Sequence, residues 1–204
     1  MTLSEFDNDI RKDHNVVCGC DEAGRGPLAG DVFAAAVIFD KDTVIEGIND
    51  SKKLTAKKRE ELFDEIMEKA VDFSIQTATV EEIEDINILN AAMLAMKRAV
   101  EDMDTKPDVC LIDGNKTPEG LECPAIAVVK GDAKSQAVAA ASILAKVARD
   151  RYMEQMAEQY PEYRFEKHKG YGTKLHYQMI DQYGPCGIHR MSFLKKYYAK
   201  KNGH

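Results

Sequence analysis

Two adjacent carboxylates follow an apolar segment near the start of the chain. Residues 16–20 read VVCGC, and Asp21 and Glu22 come directly after them. Ionised carboxylates are rarely buried without partners, so this position at the end of an apolar strand is unusual. Neighbouring strand residues point to opposite faces, so both carboxylates can serve one site only if the strand ends or bulges there.

Two further aspartates lie just past apolar segments in the second half of the chain. Asp113 follows DVCLI at 108–112, and Asp132 comes shortly after AIAVV at 125–129. Ligand sites in open α/β sheets collect outside the carboxyl ends of strands, so Asp113 meets Asp21 there if their strands are parallel neighbours. Each acid alone also has an ordinary interpretation, because Asp113 suits a turn and Asp132 suits a helix cap.

Taken together, the four acids predict a site for divalent cations. Convergent carboxylates repel one another and need a counter-charge, and hard oxygen ligands select Mg²⁺ or Mn²⁺. Zn²⁺ is disfavoured because no histidine or cysteine accompanies the acids. Such a site can hold two ions roughly 4 Å apart, one activating water and one stabilising the leaving oxygen in phosphodiester cleavage.

A glycine-rich turn, AGRGPLAG, continues directly from the first pair of acids. Gly24 and Gly26 allow the main chain to approach a ligand closely, and Arg25 can meet a phosphate. The turn is not a phosphate-binding loop of the GxxxxGK[ST] type, because no Lys-Ser or Lys-Thr pair follows. By itself, the GRG sequence is weak evidence for a ligand site and is more typical of a plain hairpin turn.

The periodicity of apolar residues predicts the elements that position these groups. The predicted strands are 16–20, 32–39, 72–79, 108–112 and 125–129, and the predicted helices are 55–70, 80–103 with a break near Asn87, 135–160, 174–183 and 189–199. This order predicts an α/β fold with a mixed central sheet flanked by helices. We expect residues 1–160 to form the core and residues 161–204 a small helical annex of the same domain.

Composition favours an ordinary soluble globular chain. Of 204 residues, 44% are hydrophobic and 31% are charged, which excludes a disordered chain. No run approaches the ~20 apolar residues of a membrane span, and no secretory signal opens the chain. The five cysteines include no CxxC pair, so we expect them to be reduced and structural. These features predict a cytoplasmic protein without membrane contact.

Charge is distributed unevenly along the chain. The net charge is −7, but residues 60–104 carry thirteen acids and three bases, whereas residues 161–204 carry nine bases and three acids. The nine bases are Arg164, Lys167, Lys169, Lys174, Arg190, Lys195, Lys196, Lys200 and Lys201. Two interpretations stay open, solvated helix faces or a groove for a polyanion opposite an acidic back.

Six ordered blocks carry a resemblance to bacterial ribonuclease HII, the type 2 ribonuclease H family. They are VCGCDEAGRGPLAGDVFAAAV (17–37), NDSKKLTAKKREEL (49–62), LIDGN (111–115), VVKGDAKSQAVAAASILAKVARDR (128–151), HKGYGTKLH (168–176) and GIHRMSF (187–193). Together they span nearly the whole chain. The resemblance implies a ribonuclease H-like fold with a C-terminal helical annex, hydrolysis of the RNA strand of RNA–DNA hybrids, and incision of duplex DNA at embedded ribonucleotides.

The same resemblance implies specific roles for residues. Asp21, Glu22, Asp113 and Asp132 match the family's catalytic carboxylates, which bind Mn²⁺ or Mg²⁺. The residues expected to bind substrate are Gly24, Arg25, Gly26, Lys52, Lys53, Lys134, Ser135 and Tyr171. The glycine-rich turn would sense the ribose 2′-hydroxyl and the tyrosine would pack on the next sugar, although a half-buried anchoring role for the tyrosine stays open.

The resemblance also implies which nucleic acids the protein binds, and two alternative functions stay open. The partners implied are RNA–DNA hybrids and ribonucleotide-containing duplex DNA; we expect a monomer, and a sliding-clamp partner stays open. The histidines are interpreted as structural, because two-metal hydrolysis needs no histidine base. One alternative is a nuclease for DNA or structured RNA on the same fold. Another is a nucleic-acid binding module whose acids serve only cation-dependent folding.

Overall fold

The computed structural model describes residues 1–49, 51 and 54–201. Its strands are β1 (Val17–Ala23), β2 (Val32–Ile38), β3 (Asp72–Ala78), β4 (Val109–Asp113) and β5 (Ala125–Val128). Its α-helices are α1 (Leu3–Ile10), α2 (Ala56–Lys69), α3 (Val80–Glu101), α4 (Gln136–Gln159), α5 (Phe165–His168), α6 (Lys174–Tyr183) and α7 (Met191–Lys201). Among the described residues, no helix combines the length and apolar character needed to cross a membrane.

The five strands form one mixed sheet in the order β3-β2-β1-β4-β5. β1 pairs antiparallel with β2 and parallel with β4, so the condition under which Asp113 meets Asp21 is fulfilled. Cys18 and Cys20 of β1 pack with α3 on one face of the sheet, whereas Gly19 faces α4 on the other. Two apolar layers therefore sandwich β1, which explains why its sequence is a continuous apolar run.

The first strand is longer than its apolar run predicts. The sequence suggests an end at residue 20, but β1 continues to Ala23. Its ladder with β2 pairs Asp21 with Ala35 and Glu22 with Ala34 without a bulge. The expected end at residue 20 was wrong because backbone pairing with a long partner strand outweighs the change to charged side chains. Neither a strand end nor a bulge lies at residues 21 and 22, yet the charge of Glu22 adds to the burial that raises the pKa of Asp21, so the two carboxyls are still close.

The burial of β5 and the start of α7 also differ from what their local sequences suggest. β5 is one of the two edge strands, and Ile126 is 40% exposed, so the apolar run of β5 is not buried like that of β4. The last helix begins at Met191 rather than residue 189, because His189 forms an isolated β-bridge with Ala29. In each case the neighbouring backbone, which the local sequence does not reveal, decides the outcome.

The predicted break in the third helix is confirmed at Asn87. This residue has a φ of 68° and a ψ of 163° inside α3, outside the helical region. Its side-chain Oδ1 accepts hydrogen bonds from the N–H groups of Leu89 and Asn90 at 3.0 and 3.2 Å. Asn87 therefore caps the second half of α3, and asparagine tolerates this backbone conformation better than most residues.

The N-terminal segment forms a helix that the sequence did not predict. α1 begins after Thr2, which forms a capping box with Glu5. Asp7 of α1 is buried, and its Oδ2 accepts a hydrogen bond from the N–H of Ala137 at 2.9 Å. Asp7 thus satisfies a donor in the first turn of α4 and fixes α1 against that helix.

Candidate functional site

Asp21 and Asp113 lie side by side at the carboxyl end of the two central parallel strands. The register pairs Cys20 of β1 with Ile112 of β4, so the next residue of each strand is one of these aspartates. Asp21 lies two residues beyond Gly19 and therefore faces α4, where Ser142 lies beside its carboxyl. The two acids that the sequence predicted to converge are therefore neighbours.

The carboxylates at this end of the sheet repel one another. Asp21 is 5% exposed, and burial, followed by the charges of Glu22 and Asp113, raises its pKa well above the usual range. The Oε1 atom of Glu22 accepts a hydrogen bond from Nη1 of the exposed Arg25 at 3.2 Å. An exposed ion pair contributes little free energy, so Arg25 offsets only a small part of the repulsion among these carboxylates. A cation bound among these carboxylates would lower the electrostatic free energy.

The segment that carries Asp132 lies against the end of β4. Asp113 Oδ1 accepts a hydrogen bond from the N–H of Gly131 at 2.7 Å. Gly131 opens a short 3₁₀ turn, in which Asp132 is 8% exposed. A β-carbon on Gly131 would lie 3.3 Å from the same carboxylate oxygen, so glycine permits this close approach. The third predicted strand-end acid is thus brought to the same end of the sheet.

The donor chemistry of this cluster suits a hard divalent cation. Its side chains offer only carboxylate and hydroxyl oxygens, the ligands that Mg²⁺ and Mn²⁺ prefer. Within the described ranges, however, no group of three or more His, Cys, Asp or Glu side chains has the spacing of a formed metal site. The acids therefore provide suitable ligand types and a local excess of negative charge, but not a closed ligand shell.

A cleft joins the acid cluster to the glycine-rich turn. Its lining residues are Glu22, Ala23, Gly24, Arg25, Gly26, Ser51, Ser142, Lys146 and Tyr171. Tyr171 is 43% exposed, so its ring is accessible. Four residues predicted to bind substrate thus share one surface with a predicted metal ligand.

Sequence reasoning missed three polar residues of this cleft. Ser51 and Ser142 are buried, and their hydroxyl oxygens lie 2.9 Å apart. Lys146 lies one turn beyond Ser142 on α4 and forms an ion pair with Asp150 at 2.6 Å. A signal was available, because Ser142 and Lys146 are polar residues four apart in the otherwise apolar segment AVAAASILAKVA.

Buried histidines hold the backbone of Tyr171. The N–H of Cys186 donates to Nδ1 of His189, so the proton of this imidazole lies on Nε2 and is donated to Nε2 of His176 at 3.0 Å. His176 then donates from Nδ1 to the carbonyl of Tyr171 at 3.0 Å. Burial lowers the pKa of His176 and His189 to about 4, so both are neutral at pH 7. These contacts support the structural interpretation of the histidines.

Arg190 fits neither interpretation of the basic C-terminal segment, a solvated helix face or a groove for a polyanion. It is fully buried, and its guanidinium donates to main-chain carbonyls of the glycine-rich turn. Arg149 of α4 is also buried, and it donates to the carbonyls of Ala29, Asp31 and Lys169. Carbonyls of a packed turn have no strand partner, so they need such internal donors.

Ser135 and Lys134, two further residues predicted to bind substrate, do not line the cleft. Ser135 is buried, and its hydroxyl accepts a hydrogen bond from the N–H of Val138, which caps α4. Lys134 is exposed on the turn before that cap. Lys52 and Lys53 lie outside the described residues.

Comparison with known proteins identifies similar chains. The family model for ribonuclease HII matches residues 18–196. The ribonuclease HII of Caldicellulosiruptor saccharolyticus is 54% identical over 189 residues, which cover 93% of this chain and 92% of that relative.

Solved structures share the fold. The ribonuclease H2 from Pyrococcus horikoshii superposes with a TM-score of 0.72 at 30% identity, over 87% of this chain and 93% of that one. The Bst-RNase HIII structure in complex with Mn²⁺ superposes with a TM-score of 0.66 at 18% identity, over 83% and 63% of the two chains. The predicted ribonuclease H-like fold is therefore confirmed.

Proposed function

The chain belongs to the ribonuclease HII family, whose members degrade RNA in RNA–DNA hybrids, and from this premise we propose a more specific activity. The protein hydrolyses the RNA strand of hybrids and incises duplex DNA on the 5′ side of an embedded ribonucleotide. The products carry 3′-hydroxyl and 5′-phosphate ends. Its role is the removal of ribonucleotides from DNA in the cytoplasm, and it acts as a monomer.

One observation carries this proposal. The strand-end acids Asp21 and Glu22 run directly into the glycine-rich turn, and Glu22 shares a cleft with that turn and with the exposed ring of Tyr171. Asp113 lies beside Asp21. Groups suited to phosphodiester hydrolysis therefore adjoin groups suited to recognition of a sugar.

The acids would hold the catalytic ions. Asp21, Glu22, Asp113 and Asp132 are the proposed ligands of Mg²⁺ or Mn²⁺, and the Mn²⁺ complex of the similarly folded Bst-RNase HIII supports this choice of ion. When bound, two such ions supply an activated water and stabilise the leaving oxygen. The chain contributes by holding Asp21 and Asp113 at the ends of two hydrogen-bonded strands, from which the carboxylates would close around the ions.

The turn and the tyrosine would select the substrate. The 2′-hydroxyl is the group that distinguishes RNA from DNA at a given nucleotide, and backbone groups of Gly24, Arg25 and Gly26 can contact it whatever the base. The ring of Tyr171 rests against the sugar of the next nucleotide, where a 2′-hydroxyl fits less well. Exposed lysines, such as Lys195 and Lys196 of α7, bind phosphates independently of sequence.

The direct test compares two duplexes that differ by one oxygen. An end-labelled DNA duplex with a single ribonucleotide, incubated with the protein and Mn²⁺, should be nicked on the 5′ side of that residue. A polymerase should extend the 3′ end, which establishes the free hydroxyl. Equal cutting of the matched all-DNA duplex would contradict the proposal.

Two further substrates separate the competing functions. Cleavage of single-stranded RNA as fast as of the RNA–DNA hybrid would favour a nuclease for structured RNA. Tight binding of the hybrid without product, with Mg²⁺ or Mn²⁺ present, would indicate a binding module without turnover.

Tyr171→Ala is expected to lower kcat/KM on the single-ribonucleotide duplex by about tenfold or more, because ring contacts with nucleic acid contribute ~1–3 kcal/mol. Tyr171→Phe should retain most activity, because the ring rather than the hydroxyl makes the proposed contact. Tyr183→Ala is the matched control, since Tyr183 is 50% exposed but does not line the cleft. An equal loss in Tyr171→Ala and Tyr183→Ala would argue against the contact.

A further inference from the structure

The glycine-rich turn is built around the Arg190 guanidinium. Nη2 donates to the carbonyls of Gly24 at 2.7 Å and Gly30 at 2.6 Å, Nη1 donates to those of Arg25 at 3.2 Å and Pro27 at 2.9 Å, and Nε donates to Gly30 at 2.9 Å. Every acceptor is a main-chain oxygen. The Arg190 side chain therefore binds the backbone of the turn and not its side chains.

These hydrogen bonds fix the direction of the neighbouring N–H groups. Across a trans peptide bond, a carbonyl and the N–H of the next residue point in opposite directions, and the described chain has no cis peptide bond. The carbonyls of Gly24 and Arg25 point towards Arg190, so the N–H groups of Arg25 and Gly26 point away from it. Because these turn residues line the cleft, the two N–H groups are presented on the cleft side.

Arginine is chemically suited to this task. A guanidinium is a rigid plane with five donors, whereas a lysine ammonium is compact and cannot reach carbonyls on both sides of the turn. Burial lowers the pKa of Arg190 to about 9, which leaves the group charged at neutral pH. A cation bound to a carbonyl also polarises its peptide group and strengthens the N–H on the other side as a donor.

We propose that Arg190 is a positioning residue for ribonucleotide recognition, which holds the N–H groups of Arg25 and Gly26 towards the cleft, where they bind an oxygen of the ribonucleotide. This inference rests on the proposed function. Arg190 does not touch the substrate, because it lies beneath the turn and is fully buried. Its contribution is to discrimination between ribonucleotide and deoxyribonucleotide, and not to general affinity for duplex DNA.

The test measures binding without cleavage. The dissociation constants of wild type and Arg190→Lys are determined without divalent ions for the single-ribonucleotide duplex and the all-DNA duplex. In Arg190→Lys, the preference for the ribonucleotide should fall by about tenfold, the effect of losing a hydrogen bond to a charged group. Affinity for all-DNA duplex should stay within about twofold, whereas a merely structural defect would weaken both complexes equally and overturn the inference.

A milder variant and a control protect the test against misfolding. Phe193→Leu removes the ring whose centroid lies 5.3 Å from the Arg190 guanidinium carbon. This variant should reduce the preference for the ribonucleotide duplex by a smaller factor than Arg190→Lys does. Leu62→Ala creates a defect in the buried core under α2 and should leave the preference unchanged. A preference that survives in both Arg190→Lys and Phe193→Leu would overturn the inference.

A substrate-free readout separates this inference from the proposed function. If the wild type neither prefers nor cuts the ribonucleotide duplex, the proposed function fails. The amide resonances of Arg25 and Gly26 in ¹H–¹⁵N spectra still test the positioning, because Arg190→Lys or Phe193→Leu should shift them. Unchanged resonances in both folded variants would overturn the role of Arg190 whatever the activity.

Discussion

Replacing Asp113 with asparagine is expected to reduce cleavage of the single-ribonucleotide duplex by more than about 100-fold, because the loss of even an outer partner of a metal ligand costs roughly 10–100-fold. The substitution removes one negative charge with almost no change in volume. An asparagine Oδ1 can still accept the hydrogen bond from Gly131, so the end of β4 keeps its connection to the segment of Asp132. Asp113→Asn should therefore lose activity while it keeps its fold.

Stability provides the second half of this prediction. Asp113 raises the electrostatic free energy of its neighbour Asp21, so Asp113→Asn should unfold at no lower temperature than wild type. Wild type should be stabilised by Mn²⁺, because an ion that binds only the folded state raises the free energy of unfolding. Asp113→Asn should gain less from Mn²⁺. The measurements are thermal unfolding with and without the ion and single-turnover cleavage.

A matched substitution lies at the other end of the same strand segment. Asp108 precedes β4, and its Oδ2 accepts a hydrogen bond from the N–H of Val16. Asp108→Asn also removes one charge, but it lies far along the sheet from the acid cluster, so its activity should equal that of wild type. Near-full activity in Asp113→Asn, or an equal loss in Asp108→Asn, would refute the assignment of Asp113 as a ligand.

Local sequence was sufficient to identify the acids that follow the apolar runs of the two central strands. Apolar runs identify β1 and β4, and Asp21 and Asp113 follow from their positions in those runs. The parallel pairing of the two strands, which the sequence left only as a condition, then makes the acids neighbours. This part of the site could be predicted because an apolar run and the acid that follows it are visible in the local sequence, even though the exact end of β1 was not.

Other parts of the site depend on contacts between distant residues. Arg190 lies in a basic segment and suggests a surface charge, yet its hydrogen-bond partners lie about 160 positions earlier in the chain. Ser142 lies beside Asp21 because α4 packs across β1, which no local pattern specifies. Buried polar groups are selected by the unmet hydrogen bonds of the surrounding fold, so they could not be identified before the fold was known.

The close packing of β1 on α4 predicts the largest effect on stability. A β-carbon at Gly19 would lie 2.2 Å from the carbonyl carbon of Ala137 and 2.3 Å from the nitrogen of Val138. Both are backbone atoms at the start of α4, so no side-chain rotation can relieve the overlap. Overpacking of a core typically costs 1–3 kcal/mol, and Gly19→Ala should reach about 3 kcal/mol or more because a helix and a strand must separate.

Gly187→Ala is the control for this substitution, because its β-carbon would lie 3.5 Å from the Tyr160 hydroxyl, an ordinary contact. Its free energy of unfolding in urea should stay within about 0.5 kcal/mol of wild type.

Asp21 lies two residues beyond Gly19 on the same face of β1, so separation of β1 from α4 also displaces the carboxyl from Ser142. Gly19→Ala should therefore lose activity even at temperatures where it remains folded, whereas equal stability of the Gly19→Ala and Gly187→Ala variants would show that β1 does not pack this closely on α4.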